Sequence, residues 1–159
     1  MTTLNRMTSP GSANPDAPTD GTTYGGSHQP PEDGSPLHNL LLTGDMPTDV
    51  YRHPEYLTHS GTDYQYDRDS IAVVLAVRGL PDAPVTVYRA APQGVTQFDA
   101  GNWVAISEAY ARQHATRDDE PSHDWPVYSA IVPASAVRCG GNDLIEWGLW
   151  VTVPATRLA

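Results

Sequence analysis

Polar and apolar residues alternate along residues 85–90. Val85, Val87 and Arg89 fall on one side, and Thr86, Tyr88 and Ala90 on the other. That two-residue period predicts a strand, apolar on one side until Arg89 interrupts it. A guanidinium at the inner end of a buried strand needs an anion, because an unpaired buried charge costs several kcal/mol. Either a carboxylate of the protein or a phosphate of a ligand meets that need.

The remaining elements follow from the same kind of pattern. Residues 36–42, PLHNLLL, predict a short helical turn with its leucines on the core. In residues 49–59, DVYRHPEYLTH, Pro54 disfavours helix at His53. Tyr51, His53, Tyr56 and His59 there are either core and rim residues or the wall of a pocket. Residues 67–79, DRDSIAVVLAVRG, predict a helix capped by Asp67 or Asp69 and ended by Gly79. The aliphatic run 71–77 also suits a buried strand, but the polar entry favours helix. Residues 92–100 predict a loop anchored by Phe98. Residues 101–107 predict a strand and 108–114 a helix, with Ser107 placed to cap it. Residues 116–126 are acidic and irregular, as a solvated loop would be. Residues 126–132 predict a strand, 138–143 (RCGGND) a glycine-bearing loop, and 144–153 a last strand that closes the sheet. Together these imply an α+β domain with a mixed, mostly antiparallel sheet and a few helices. No GxGxxG loop is present, so a dinucleotide would not bind in the Rossmann manner.

Composition divides the 159 residues in two. Residues 1–36 are rich in Thr, Ser, Pro, Gly and Asp and carry one aromatic, Tyr24. Such a segment buries too little apolar surface to offset its ordering entropy, so a disordered or draped tail is expected there. The folded domain is expected over 37–159, which holds all four tryptophans. The net charge of -10 argues against general affinity for nucleic acid or for anionic membranes. One cysteine, Cys139, leaves no internal disulfide and suits a reducing compartment. The longest aliphatic run is far too short to span a bilayer, and the N-terminus has no signal-peptide pattern. A cytoplasmic protein is the expectation. No histidine pair has the spacing of a zinc helix, and no metal is expected.

Three segments then stand in order: VTVYRAAP (85–92), WVAISEAYARQHA (103–115) and GGNDLIEWGLW (140–150). They offer an arginine on a strand, a serine at a strand-to-helix junction, and a glutamate entering a final strand. This resembles the arginine–serine–glutamate class of ADP-ribosyltransferases, and most of all the small members found in bacteria and their phages. The resemblance spans roughly residues 37–153. It implies an ADP-ribosyltransferase-like fold and NAD as substrate, with no metal. It assigns Glu146 to the developing positive charge of the ribose, Arg89 to the phosphates and ribose of NAD, and Ser107 to the pocket of the nicotinamide ribose. Ala90, Trp103 and Tyr110 join that NAD pocket, Tyr110 as a stacking partner for nicotinamide. Arg89, Ser107 and Glu146 should therefore converge on one cleft.

Two positions depart from the family pattern. Ala105 stands where many members have the first serine of a Ser-Thr-Ser motif, and Leu144 where many have Gln or Glu. The second change disfavours an arginine acceptor and gives no support to a guanine acceptor. Each site residue also has a plain structural role open to it. Arg89 could pair with Glu146 or Asp99, Ser107 could cap a helix, and Glu146 could lie in water. The resemblance implies transfer of ADP-ribose from NAD to a macromolecule, protein or nucleic acid, with release of nicotinamide. NAD hydrolysis, or a non-catalytic binding module on the same fold, are the alternatives.

Overall fold

The computed structural model describes residues 29–159. Its elements are α1 Gln65–Ala76, β1 Pro84–Ala90, β2 Gln97–Phe98, β3 Asn102–Ala105, α2 Glu108–Ala115, β4 Val127–Pro133, β5 Val137–Cys139, β6 Glu146–Leu149, β7 Val153–Pro154 and β8 Thr156–Arg157. Short 3₁₀ turns lie at Pro54–Leu57, Pro121–His123 and Ala134–Ala136. Six strands form one sheet in the order β5-β6-β3-β1-β4-β8, and β2 pairs with β7 in a separate ribbon. Every pairing between these strands is antiparallel. The protein is thus α+β with an antiparallel main sheet.

Alternation along the strands gives the sheet two buried faces. Val85 and Val87 of β1, Val104 of β3, Tyr128 and Ala130 of β4, and Trp147 and Leu149 of β6 point into the larger core. Leu37, Leu40, Val50 and Val74 close that core from outside the sheet. Ala90, Trp103, Ala105 and Val127 point the other way, against Tyr110, Ala111 and Ala115 of α2. Helix α2 lies on this second face because those three apolar residues share one side of it. The polar side of α2 carries Glu108 and Arg112, joined by an i,i+4 ion pair.

Several expectations need correction. The ordered structure starts before residue 37. Pro30 is buried, Ser35 is fully buried, and Pro36 bridges to Arg138. The amide and hydroxyl of Ser35 both donate to the Asp45 carboxylate, at 2.9 and 2.6 Å. Polar composition suggested a loose tail, but these polar groups are satisfied inside the fold. Residues 1–28 of the expected tail lie outside the described residues. Strand β6 does not close the sheet. It runs between β5 and β3, because Arg138 and Cys139, expected in the glycine-bearing loop, join Val137 in an outer strand beside it. Phe98 is the expected anchor, fully buried, yet it sits in strand β2 and pairs with Val153.

Helix α1 begins at Gln65, with Tyr64 at its N-cap position, so neither Asp67 nor Asp69 caps it. Asp67 turns back instead and is fully buried. Its carboxylate accepts from the amides of His59 and Ser60, at 3.1 and 2.8 Å, and from the Ser60 hydroxyl. That arrangement fixes the loop carrying His59 against the helix. Among the described residues, no helix is long and apolar enough to cross a membrane.

Candidate functional site

Glu146 opens β6, and its position is set by four hydrogen bonds in and around the loop before it. The Leu144 amide donates to the Leu57 carbonyl at 2.9 Å. The Trp147 indole donates to the Leu144 carbonyl at 3.0 Å. The Asp143 carboxylate accepts from the amides of Ile145 and Glu146, at 2.8 and 3.1 Å. Leu144, Ile145 and Trp147 are fully buried, whereas the Glu146 side chain keeps 26% of its surface open. Burial of Leu144 in the larger core explains the apolar residue at that position and removes it from any acceptor.

In the strand register Glu146 lies opposite Ala105, and Ala105 opposite Tyr88. Directly paired residues share a face, so Glu146 projects on the α2 side of the sheet. There the Tyr110 hydroxyl donates to Glu146 Oε1 at 2.7 Å. His114, one turn further along α2, brings Nε2 to 4.0 Å from the same oxygen. The Tyr110 and His114 rings stand 4.4 Å apart, and Tyr110 meets the Tyr66 ring edge-on at 5.1 Å. His59 packs edge-on against both tyrosines. Its Nδ1 lies 3.2 Å from the Tyr66 hydroxyl, and its Nε2 lies 3.9 Å from Asp143.

These rings border an open cavity of about 430 Å³, lined by His59, Tyr66, Tyr110, Gln113, His114, Thr116 and Arg117. Arg117 stacks on Trp125, with its guanidinium carbon 3.8 Å from the ring centre, and donates to the His114 carbonyl. Burial lowers the pKa of His114 below its ordinary value, and Arg117 and His59 add to that, while Glu146 pulls the other way. Glu146 is not itself a lining residue; it lies behind two that are, bonded to the Tyr110 phenol and 4.0 Å from the His114 imidazole, which is held toward its neutral form.

The other expected site residues are distributed unevenly. Ser107 does occupy the position before α2, but its hydroxyl does not cap the helix. It donates to Asp69 of α1 at 3.0 Å and is nearly fully buried, which ties the two helices together. Ala90 and Trp103 are buried in the core beneath α2. Gly140 lies against the Trp103 ring, and a Cβ there would come within 2.1 Å of it. Tyr110 contacts Glu146 as described. Arg89 is on the opposite face, in line with Val85 and Val87. It is 2% exposed, and its Nη1 donates to the Trp103 carbonyl at 3.0 Å. It lines a separate cavity of about 270 Å³ with Gln93, Thr96, Gln97, Asp99 and Asn102. Neither Ser107 nor Glu146 lines that cavity, so the expected convergence of three residues on one cleft does not occur.

Sequence reasoning overlooked His114 and Tyr66, and did not connect Tyr110 with Glu146. Tyr110 and His114 at i,i+4 on one helix were the legible signal. Of the four residues suspected between 49 and 59, only His59 reaches this basin. Tyr51 instead accepts from the Leu40 amide, under the Arg78 guanidinium, and His53 stacks on Tyr56. Among the described residues no group of three or more His, Cys, Asp or Glu is gathered to hold a metal. Burial pushes the Cys139 thiol up to about 12, which keeps it a thiol and a poor nucleophile. Comparison with models of known protein families, with curated proteins and with solved structures finds no match.

Proposed function

We propose that the protein is an ADP-ribosyltransferase-like enzyme that cleaves NAD at the Glu146 basin and passes ADP-ribose to an acceptor. The supporting observation is the partly open Glu146 carboxylate, bonded to Tyr110 and close to His114, both of which line the neighbouring cavity. Cleavage breaks the bond between ribose C1′ and the nicotinamide nitrogen. Its electron pair leaves with nicotinamide, which departs neutral, and positive charge develops on the ribose. A fixed carboxylate stabilises that charge without having to reorganise. Tyr66, Tyr110 and His59 offer flat apolar surface for the nicotinamide ring.

Tyr110 also supplies a hydroxyl beside Glu146 that Ala105, directly opposite in the register, lacks. In this reading Arg89 is a positioning residue. It holds the Trp103 carbonyl of β3 from the far face, one strand from Glu146. The phosphates of NAD then have to be met elsewhere, and Arg117 is a cation lining the cavity.

One observation favours a second reading, a binding module without catalysis. Arg89 and Glu146 occupy different faces of the sheet, so the arginine–serine–glutamate set is not assembled. Incubation of the full chain with NAD separates the two. The enzyme reading expects nicotinamide release, and labelled NAD in a lysate should leave label on protein, on nucleic acid or on free ADP-ribose. NAD that binds and stays intact supports the module.

A further inference from the structure

We infer that the acceptor in this reaction is a neutral O–H nucleophile, water or an alcohol, and that His114 takes its proton. The inference rests on the proposed cleavage at Glu146 and names the acceptor class for it. His114 Nε2 and Glu146 Oε1 are 4.0 Å apart. That is too far for a direct hydrogen bond, yet an oxygen placed about 2.8 Å from each fits between them. Both side chains are partly open, at 35% and 26%, while Tyr110 backs the carboxylate from the core. The cavity beside them is open to solvent, and its wall includes Gln113 and Thr116, which can hydrogen-bond an approaching hydroxyl.

The Arg117 guanidinium in that wall disfavours a guanidinium acceptor by like charge. The groups facing His114 include Glu146, Arg117, His59 and Tyr110. Their balance, together with burial, keeps the imidazole toward the neutral form that a general base requires. In the step itself, the C1′–nitrogen bond breaks and its electron pair leaves with nicotinamide. An oxygen lone pair forms the new bond to C1′, and the oxygen's proton passes to His114 Nε2. Glu146 takes no proton in this step. With water the products are ADP-ribose, nicotinamide and a proton later lost from His114.

The test uses the full chain, NAD and three proteins: parent, His114→Gln and Glu146→Gln. Nicotinamide and ADP-ribose are quantified with and without sodium azide, a nucleophile that carries no proton to remove. In His114→Gln, ADP-ribose formation should fall about a hundredfold, the lower end for loss of a general base. Azide should restore nicotinamide release in this variant and not in Glu146→Gln. The parent's rate should fall as pH drops through the His114 titration, and that limb should vanish in His114→Gln. Added methanol distinguishes the sources, since an alcohol-accepting site yields a methyl riboside and a water-specific one does not.

Unchanged hydrolysis in His114→Gln, with Glu146→Gln inactive, overturns the inference and leaves the Glu146 reading standing. A folded His114→Gln variant that azide cannot rescue also overturns it, because His114 would then be structural. A parent that releases no nicotinamide, to water or to azide, overturns the underlying reading and the inference with it.

Discussion

The phenol of Tyr110 donates to Oε1 of Glu146 across 2.7 Å, joining the middle of α2 to the first residue of β6. One is buried and the other is partly open. A hydrogen bond to a charged partner contributes about 1.5–3 kcal/mol, enough to hold the carboxylate in one rotamer.

Tyr110→Phe tests that contact with little change of shape. The variant should lose about 1–3 kcal/mol of stability in urea unfolding. If NAD is cleaved at Glu146, nicotinamide release should fall about tenfold or more, because a carboxylate left to wander is a poorer preorganised charge. Full activity in a folded Tyr110→Phe protein would mean that Glu146 does not depend on this bond.

Asp67 makes a related prediction about the loop behind the basin. Its carboxylate is fully buried and accepts three hydrogen bonds from His59 and Ser60. Asp67→Ala leaves those donors without their acceptor, at a cost of about 2–4 kcal/mol. Hydrogen exchange should show loss of protection at the His59 and Ser60 amides in particular. Loss confined to the helix interior would place the role of Asp67 elsewhere.

Residue 34 tests where the domain begins. A Cβ on Gly34 would fall 2.2 Å from the Cys139 carbonyl oxygen, a backbone atom of β5 that cannot swing aside. Gly34→Ala should therefore behave as an overpacked core substitution, costing about 1–3 kcal/mol. A thermal melt identical to the parent's would put this segment off the domain.

The lowered pKa of His114 sets a pH dependence of stability. In the unfolded chain the imidazole titrates near 6.5, and in the fold it titrates lower. Between the two values the unfolded state binds more protons, so stability rises with pH. The contribution is intact above about pH 6.5 and is lost as pH falls toward the folded value. Urea midpoints at about pH 7.5 and 5 should converge less in parent than in His114→Gln, whose stability should drop less on acidification. An identical drop in both proteins would show that His114 titrates normally.

Local pattern in the sequence revealed much of this fold. The alternation of Val85, Val87 and Arg89, the junction at Ser107, and the burial of Phe98 were all legible. What a strand pattern does not carry is register. Whether Glu146 shares a face with Arg89 or with Tyr88 depends on pairing through β3, and a slip of one residue reverses the answer. The pairing found sets Glu146 with Ala105 and Tyr88, so the arginine and the glutamate part company. The basin was hidden for a similar reason. His59, Tyr110 and Glu146 are far apart in the chain and meet only because Asp67 pins one loop and Asp143 turns another. Gly34 and Ser35 read as tail because composition reports apolar content, and this segment is held by polar bonds and close backbone contact.

The most direct test of the central claim compares Glu146→Gln with the parent. Glutamine keeps the size and one acceptor, and removes the charge. Ground-state NAD puts little positive charge on C1′ itself, so the variant should bind NAD with nearly the parent's affinity by calorimetry. Nicotinamide release should be about a hundredfold to a thousandfold slower, the pattern of an interaction made chiefly in the transition state. Equal rates of nicotinamide release from the two folded proteins would contradict the account and remove Glu146 from catalysis.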